Sequence, residues 1–264
     1  MVTTNPVLKG VMVGMSPATV NLETEETVKV TCRNTCPVCG KVELNDYNLP
    51  DWISRTFPQE THALCDICRA EADRKEMEAY RERQLARLMD EADIPPEFRT
   101  WDSSIGNQEL ARKIRNSRNG SMLVCGFYSK GKTRATAYNL LLEVKNGKSC
   151  RFWRFSDLAA KYAAQCKADG DAQDWLKKQM NRDVILIDDI CKRRITDTAG
   201  EMLYDILDWL YSGEIRCNLW MTANKSLADV AKCFQNADTG DAVVSRIDRM
   251  ADDYDGRMKI INAE

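Results

Sequence analysis

Short apolar runs alternate with amphipathic segments from about residue 101 to the end of the chain. Five runs have the length and composition of buried strands: 121–125, 150–155, 183–187, 217–222 and 257–261. The segments between them favour helices, as in residues 134–144, where Ala137, Leu140 and Val144 share one helical face. Strands that alternate with helices predict an α/β fold, with a parallel five-stranded sheet covered by helices on both faces.

The pattern before residue 101 is different and divides the N-terminal part of the chain into three segments. Residues 1–27 show no helical or strand period and are interrupted by Asn5-Pro6 and Gly10, so we interpret them as a mobile leader. Residues 28–68 carry two cysteine pairs and are too few to fold by apolar burial alone.

The next segment, residues 69–93, is dense in Arg and Glu and contains neither Gly nor Pro. This composition predicts a charged linker helix that ends before Ile94-Pro95-Pro96. The remaining residues, 94–264, then form the main α/β core. We therefore expect four parts in the chain: 1–27, 28–68, 69–93 and 94–264.

Charge and composition limit the functions that the chain can have. Its 264 residues include 38 basic and 40 acidic side chains, so nucleic acid would have to bind a local basic patch rather than the bulk charge. The longest apolar runs, such as 184–187, are far shorter than the roughly 20 residues that span a bilayer, and we expect no membrane segment. The first residues lack a signal-peptide pattern, so we expect the eleven cysteines to be in a reducing cytoplasm.

A phosphate-binding pattern follows the first of the five predicted strands. The sequence Gly-Phe-Tyr-Ser-Lys-Gly-Lys-Thr fits G-x-x-x-x-G-K-[ST], in which backbone amides and a helix N-terminus surround the phosphates of a nucleotide. Lys132 supplies a positive charge and the Thr133 hydroxyl binds Mg²⁺ in such loops. An ordinary glycine turn would not need this strand–loop–helix context. The predicted ATP site consists of Gly126, Phe127, Tyr128, Ser129, Lys130, Gly131, Lys132, Thr133 and Arg134.

Two carboxylates end the apolar run 184–187. Because ligands bind at the carboxyl ends of parallel strands, we expect Asp188 to hold Mg²⁺ together with Thr133. Asp189 would be the base that orients the attacking water. Asp is one methylene shorter than Glu, so its carboxylate lies farther from the attacking water than that of a Glu would. We therefore expect slow hydrolysis. Two acids that only cap a buried strand at a turn are the alternative interpretation.

Two later residues complete the predicted catalytic set of Lys132, Asp189, Asn224 and Arg246. The amide of Asn224, just after the strand 217–222, is expected to contact the γ-phosphate or the lytic water in the sensor-1 role, although Asn at this place is often only a turn former. Arg246 lies in a predicted helix before the last strand and is expected to reach a neighbouring subunit's nucleotide as an arginine finger. Arg249 is the second choice, and a simple surface salt bridge is the alternative.

Two C-x₂-C pairs have the ligand spacing of a zinc ribbon: Cys36, Cys39, Cys65 and Cys68. Four thiolates would form a closed, structural Zn²⁺ site. Cys32 and His62, the single histidine, lie close enough in sequence to replace one of the four. We expect core positions for the six other cysteines, Cys125, Cys150, Cys166, Cys191, Cys217 and Cys233.

With these motifs, the chain resembles AAA+ ATPases of the DnaC type, which load replicative helicases, and the related IstB-type transposition helpers, especially versions carried by bacteriophages. The resemblance covers roughly residue 94 to the end. The phosphate-binding loop 126–133, called the P-loop below, is one segment that carries it. The others are Ile94-Pro95-Pro96-Glu97-Phe98-Arg99, Ile187-Asp188-Asp189, Thr222-Ala223-Asn224 and Ser245-Arg246-Ile247. The sequence given stops soon after the fifth strand, so we expect the helical lid of larger AAA+ proteins to be reduced or absent.

The resemblance implies ATP- and single-stranded-DNA-dependent self-association into a ring or filament. It also implies delivery of a hexameric replicative helicase, which the N-terminal zinc module contacts, in a bacterial or phage-infected cytoplasm. A transposition helper and a zinc-containing DNA-binding regulator with a non-hydrolysing P-loop are the alternatives.

Basic and aromatic side chains are the candidates for contacts with DNA and with a helicase. Lys192-Arg193-Arg194 and the lysines of the helical stretch 156–180 are candidates for DNA, and each can also be a solvated basic face. Tyr47, Trp52, Ile53 and Phe57 either dock the helicase or fill the core of the zinc module.

Overall fold

The computed structural model describes residues 27–100, 106–168, 171–252 and 257–263. The chain divides into two compact units, Met1–Ala79 and Tyr80–Glu264. The predicted leader, residues 1–27, lies outside the described residues except for Thr27. Within the described part, no helix combines the length and the apolar character needed to cross a membrane.

The first unit contains a small three-stranded sheet in the order β2-β1-β3. Strands β1 and β2 form an antiparallel hairpin, and β3 pairs with β1 in parallel. The hairpin turn holds the first cysteine pair and closes at Gly40, which has φ of 71°. The elements of this unit are β1 (Thr27–Thr35), β2 (Val42–Pro50), a short helix α1 (Asp51–Ser54) and β3 (Glu60–Thr61).

A small apolar cluster lies between the hairpin and α1. Cys32, Leu49 and Phe57 are buried, and Tyr47 and Ile53 pack against them. The ring centroids of Tyr47 and Phe57 are 5.0 Å apart. Three of the four side chains considered for helicase docking therefore fill the core of their own unit, while the Trp52 side chain lies outside the described part. A core this small needs a cross-link or a metal to be stable.

The second unit is built on five parallel strands in the order β5-β6-β7-β4-β8. This confirms the predicted α/β class and its parallel five-stranded sheet. The strand ends differ from the predicted ones by no more than one residue. The strands are β4 (Ser121–Cys125), β5 (Cys150–Arg154), β6 (Val184–Asp188), β7 (Asn218–Thr222) and β8 (Met258–Asn262).

Helices connect the strands and cover both faces of the sheet. They are α2 (Asp66–Ala92), α3 (Gln108–Ser117), α4 (Lys132–Lys145), α5 (Phe155–Lys167), α6 (Ala172–Met180), α7 (Asp197–Ser212), α8 (Leu227–Val230) and α9 (Ala237–Asp252). Two 3₁₀ turns lie at Pro96–Phe98 and Ala231–Cys233. The charged helix α2 begins three residues before the predicted start at residue 69. The single helical stretch expected over 156–180 is wrong, because Asp171 caps a separate helix α6 by accepting a 2.9 Å hydrogen bond from the amide of Asp174.

Successive residues along each strand point to opposite faces of the sheet, and helices cover both faces. Leu123 and Ile185 belong to one apolar cluster, with α5, α6, α7 and α9. Met122, Leu186 and Trp220 belong to the other, with α3, α4 and the end of α2. Because both faces are covered, most strand positions are apolar, and this made the strands visible as apolar runs in the sequence.

Candidate functional site

The loop between β4 and α4 has an unusual backbone that its sequence allows. Gly126 has φ of 142°, and a Cβ atom there would lie 2.4 Å from the carbonyl oxygen of Ala263. Only glycine fits at such a position. Gly131 is left-handed, with φ of 73°, and precedes the first residue of α4. Ser129 also has a positive φ of 63°. The loop therefore curls tightly in front of the N-terminus of α4, as a phosphate-binding loop does.

The Lys132 ammonium points into the curve of this loop. Its Nζ donates a 2.7 Å hydrogen bond to the carbonyl oxygen of Phe127, and the residue is 5% exposed. Burial lowers the pKa of Lys132, while the negative charges of Asp189 and Asp188 act in the opposite direction. A partly desolvated cation at this place is suited to bind phosphate oxygens.

Asp188, the last residue of β6, accepts two hydroxyl hydrogen bonds on the same oxygen. The Oγ1 atoms of Thr133 and Thr222 donate to Asp188 Oδ1 at 2.8 and 2.7 Å. Burial raises the pKa of Asp188, and these two hydrogen bonds act to lower it. A hydroxyl beside a carboxylate offers the hard oxygen ligands that Mg²⁺ prefers. The structure thus brings together the two residues predicted to hold Mg²⁺. It adds Thr222, whose signals in the sequence were a polar side chain at the end of an apolar strand and its place in the segment Thr222-Ala223-Asn224.

Asp189 follows in a left-handed conformation, with φ of 65°. Its amide donates a 2.8 Å hydrogen bond to Thr222 Oγ1, and Asn224 Nδ2 donates to its Oδ1. Lys192 Nζ lies 3.7 Å from its other oxygen, Oδ2. The P-loop follows β4, Asp189 follows β6 and Asn224 follows β7, and these strands are neighbours in the order β6-β7-β4. The predicted nucleotide residues of three strands therefore lie at one edge of the sheet.

The segment before α3 borders the P-loop on another side. Asn107 caps α3 by accepting from the amide of Leu110 at 2.9 Å, and its Nδ2 lies 3.5 Å from the carbonyl oxygen of Lys130. The guanidinium of Arg134 lies 5.8 Å from the ring centroid of Phe98. Phe127 and Tyr128 are 79% and 58% exposed, so their side chains point outward from the loop.

Arg246 contacts helix α7 rather than the P-loop of its own chain. Its Nη2 lies 2.5 Å from Asp208 Oδ1 and 3.2 Å from Tyr204 Oη, and its guanidinium is 4.6 Å from the ring centroid of Tyr211. These three partners lie on one face of α7. The Arg246 side chain is 15% exposed. Beside it is a cavity of about 150 Å³ lined by Tyr204, Ala242, Ser245, Arg246 and Arg249.

The four paired cysteines of the first unit form one cluster. The sulfur atoms of Cys36, Cys39, Cys65 and Cys68 all lie within 4.8 Å of one another. Hydrogen bonds from the backbone of Cys39 and Cys65 lower the pKa of Cys36 to about 6, so this thiol ionises readily. Hydrogen bonds with Cys39 and Cys65 raise the pKa of Cys68 to about 12. Four convergent sulfur ligands fit the tetrahedral geometry of a structural Zn²⁺ site.

Neither alternative ligand belongs to this cluster. Cys32 is part of the small apolar core, where its sulfur lies 3.9 Å from Thr61 Oγ1, and His62 is not a member of the cluster. Of the six other cysteines, Cys166 is exposed and Cys233 is intermediate, so the core expectation is wrong for Cys166. Burial raises the pKa of Cys125 to about 11 and of Cys150 to about 12, which keeps these thiols protonated.

The parallel sheet with its P-loop and acidic strand end places the chain in the AAA+ class of P-loop proteins. The family model for IstB-like ATP binding proteins matches residues 72–253, more than half of the chain. The chain therefore belongs to the IstB-like ATP-binding protein family, and the resemblance seen in the sequence is confirmed. No curated protein matches the sequence.

Several solved structures are similar to this chain at low sequence identity. The crystal structure of DnaI is 13% identical with a TM-score of 0.50, and the match covers 65% of this chain and 95% of that one. The DnaC helicase loader is 19% identical with a TM-score of 0.45, over 59% and 87% of the two chains. AMPPCP-bound DnaA from Aquifex aeolicus is 16% identical with a TM-score of 0.47, over 65% and 51%. At 13% identity the likeness to DnaI shows the fold alone.

Substitution of each carboxylate tests their division of labour. We expect Asp189→Asn to bind ATP with near-normal affinity but to lose at least about 100-fold in turnover, because an amide cannot accept the proton of the attacking water. Asp188→Asn should instead raise the Mg²⁺ concentration needed for binding. Titration with a fluorescent ATP analogue and a phosphate-release assay measure the two effects. Loss of ATP binding in Asp189→Asn would contradict this assignment.

The cysteine cluster predicts the metal content of the purified chain. Elemental analysis of protein prepared without chelator should find about one zinc per chain. Cys65→Ser combined with Cys68→Ser should release the metal and make residues 27–79 sensitive to protease, since structural zinc contributes about 10–16 kcal/mol to the folding of small domains. Cys166→Ser, at an exposed position outside the cluster, is the matched control and should keep its zinc. Zinc near zero in the unmodified chain would refute the site.

Proposed function

We propose that this chain is an ATP-dependent loader of a replicative helicase, which binds ATP with Mg²⁺, assembles on single-stranded DNA and delivers the helicase to it. The observation that carries the proposal is the grouping of Lys132, Thr133, Asp188, Asp189 and Asn224 at one sheet edge in a member of an ATP-binding family. A chain that only binds nucleotide does not need a carboxylate and an amide placed for hydrolysis.

Each residue of this group has a role in the proposed reaction. The backbone amides of the P-loop and the Lys132 ammonium bind the β- and γ-phosphates, and Thr133 and Asp188 hold Mg²⁺, which neutralises charge on the phosphates. Asp189 orients the attacking water and accepts its proton. Asn224 fixes the Asp189 carboxylate through its hydrogen bond to Oδ1 and contacts the γ-phosphate. With a short Asp side chain in this role, hydrolysis is slow, which suits a protein that turns over once per loading event.

Self-association completes the nucleotide site in our proposal. Arg246 acts on the nucleotide of a neighbouring subunit as an arginine finger, which stabilises charge in the transition state. Its bonds to Asp208 and Tyr204 hold the guanidinium in one orientation at the wall of the cavity that it shares with Arg249. A pre-oriented arginine loses less conformational freedom when it meets a phosphate.

DNA contact is assigned to the run Lys192-Arg193-Arg194. All three residues are exposed and come directly after the nucleotide edge of β6. Within 156–180, by contrast, Lys177 is paired with Glu214 at 2.8 Å and Lys178 with Asp174 at 2.6 Å. Lysines that are already neutralised contribute less to phosphate binding, and among the described residues Arg193 and Arg194 have no ion pair, so the run after β6 is a stronger candidate than Lys177 and Lys178.

The IstB-type transposition helper is the second candidate function. The family model that matches the chain is the specific observation in its favour. This function uses the same ATP chemistry and differs in its partner, a transposase instead of a helicase. A DNA-binding regulator with a non-hydrolysing P-loop is a third class, which ATPase activity stimulated by DNA would set aside.

Affinity capture from the native host tests the partner. The chain is used as bait with ATP and Mg²⁺, and the bound proteins are identified by mass spectrometry. We expect a replicative helicase to be retained by the unmodified chain, and at least about tenfold less of it by Lys132→Ala, because the loss of the P-loop ammonium removes ATP binding. Retention of a transposase would support the second candidate. Equal helicase retention by both baits, or neither partner, would overturn the loader proposal.

A mixing experiment tests Arg246 as a trans-acting residue. Arg246→Ala keeps an intact nucleotide site, and Lys132→Ala keeps an intact Arg246, so mixed assemblies contain some complete interfaces. We expect the mixture to recover ATPase activity well above the sum of the two separate variants. Size-exclusion chromatography with ATP checks that both variants assemble. If both assemble and the mixture stays inactive, Arg246 is not the finger, and the same mixture made with Arg249→Ala tests the second choice.

A further inference from the structure

Two aromatic side chains project from the P-loop into solvent. Phe127 and Tyr128 are 79% and 58% exposed, and within the described part of the chain no other large apolar side chain is as exposed as Phe127. Phosphate binding by such a loop uses backbone amides and the Lys132 ammonium, and it requires no aromatic ring. The reaction proposed above therefore leaves both rings without a role, and exposed apolar groups of this size are typical of a contact surface.

The backbone holds the Phe127 ring in a defined place. The carbonyl oxygen of Phe127 accepts the 2.7 Å hydrogen bond from Lys132 Nζ. On the two sides of the aromatic pair, Gly126 and Ser129 have positive φ values of 142° and 63°, which fix the course of the loop. A side chain that is presented by a fixed backbone loses little conformational freedom when it binds.

A cavity between α7 and α9 has the properties of a site for one aromatic ring. Its volume is about 150 Å³, and two of its walls are guanidinium groups. Arg246 is held by Asp208 and Tyr204, whereas Arg249 is exposed and has no ion pair among the described residues. Guanidinium groups are attracted to the faces of aromatic rings. The lining residues are Tyr204, Ala242, Ser245, Arg246 and Arg249.

The ring and the cavity belong to different surfaces of the same chain. The P-loop follows β4, whereas the cavity lies on α7 and α9, and Arg246 contacts α7 rather than its own P-loop. A contact between two different surfaces of identical chains is repeated from copy to copy and produces a ring or a filament. Aromatic and arginine side chains are also the residues that dominate protein interfaces.

We propose that Phe127 inserts into the α7–α9 cavity of a second copy of this chain. Phe127 fills the cavity because its ring has no polar atom that must stay hydrated. Tyr128, whose hydroxyl needs a polar partner, lies at the rim beside Arg249. The contact places the Arg246 side of one copy against the P-loop of the next. This inference rests on the self-association proposed above and names the side chains that hold it together.

The first experiment measures the protein concentration at which half of the chain is assembled, by sedimentation velocity with ATP and Mg²⁺. We expect Phe127→Ala to raise this concentration by about tenfold or more, because the burial of the ring is lost. Ala242→Phe, which fills the cavity and leaves the P-loop unchanged, should raise it in the same way. Tyr80→Ala removes a ring that is 52% exposed on α2 and is the matched control, with no expected change.

A double variant separates this contact from damage to the P-loop. Phe127→Ala combined with Ala242→Phe moves the ring from one surface to the other, so each interface again contains one ring for one cavity. We expect the double variant to assemble at a lower concentration than either single variant. Damage to the loop alone would make the double variant no better than Phe127→Ala.

A photo-cross-link identifies the contact directly. Tyr128→p-benzoylphenylalanine is mixed with isotope-labelled unmodified chain, ATP, Mg²⁺ and a single-stranded oligothymidylate, and is then irradiated. We expect a covalent product between a probe chain and a labelled chain, with the cross-linked peptide in 204–212 or 237–252. The same probe at Tyr80 should give no cross-link to these peptides.

The outcomes separate this inference from the proposed function. If the unmodified chain assembles but Phe127→Ala or Ala242→Phe assembles as well as Tyr80→Ala, the inference is wrong and self-association remains. The same conclusion follows if the double variant shows no recovery, or if the probe at Tyr128 is cross-linked to the oligonucleotide instead of to a second chain. If the unmodified chain does not assemble with ATP, the self-association in the proposed function fails, and this inference fails with it.

Discussion

One hydroxyl group, that of Thr222, organises the candidate catalytic edge of the sheet. It donates to the buried carboxylate of Asp188 and accepts from the amide of Asp189, so a single side chain at the end of β7 fixes both acids at the end of β6. This arrangement exists because β6 and β7 are parallel neighbours whose carboxyl ends coincide. Beside this link, Asp189 adopts its left-handed conformation, and its carboxylate lies close to Asn224 and Lys192.

The sequence predicted those parts of the molecule in which a local pattern of residues is compatible with only one local structure. The five strands were visible because both faces of the sheet are buried, and the P-loop because Gly126 and Gly131 adopt backbone conformations that favour glycine. The sequence did not predict the partners of Arg246, since Tyr204, Asp208 and Tyr211 reach it only through the packing of α7 against α9. The break between α5 and α6 depends on a cap at Asp171, which competes with a helical pattern on both sides.

The stability of the first unit depends on its cysteine cluster more than on apolar packing. Strand β2 is largely exposed and has little apolar periodicity, so the pattern of hydrophobic positions did not predict it. Its hairpin with β1 brings Cys36 and Cys39 toward Cys65 and Cys68, at the start of α2. With so few buried side chains, a metal ion bound by these four thiols would be the main force available to hold these segments together.

The close approach of Gly126 to Ala263 links the last strand to the first residue of the P-loop. The amide of Ala263 donates to the carbonyl oxygen of Cys125 at 2.7 Å, and the space for a side chain at Gly126 is filled by the Ala263 carbonyl. The residue that follows β8 thus packs directly against the first residue of the P-loop. A fused domain or a surface tether attached beyond residue 263 would apply a mechanical load to the chain at that point. The two backbone contacts of Ala263 would transmit this load to the P-loop. A load on the N-terminal segment, by contrast, would enter the chain far from Gly126 in sequence.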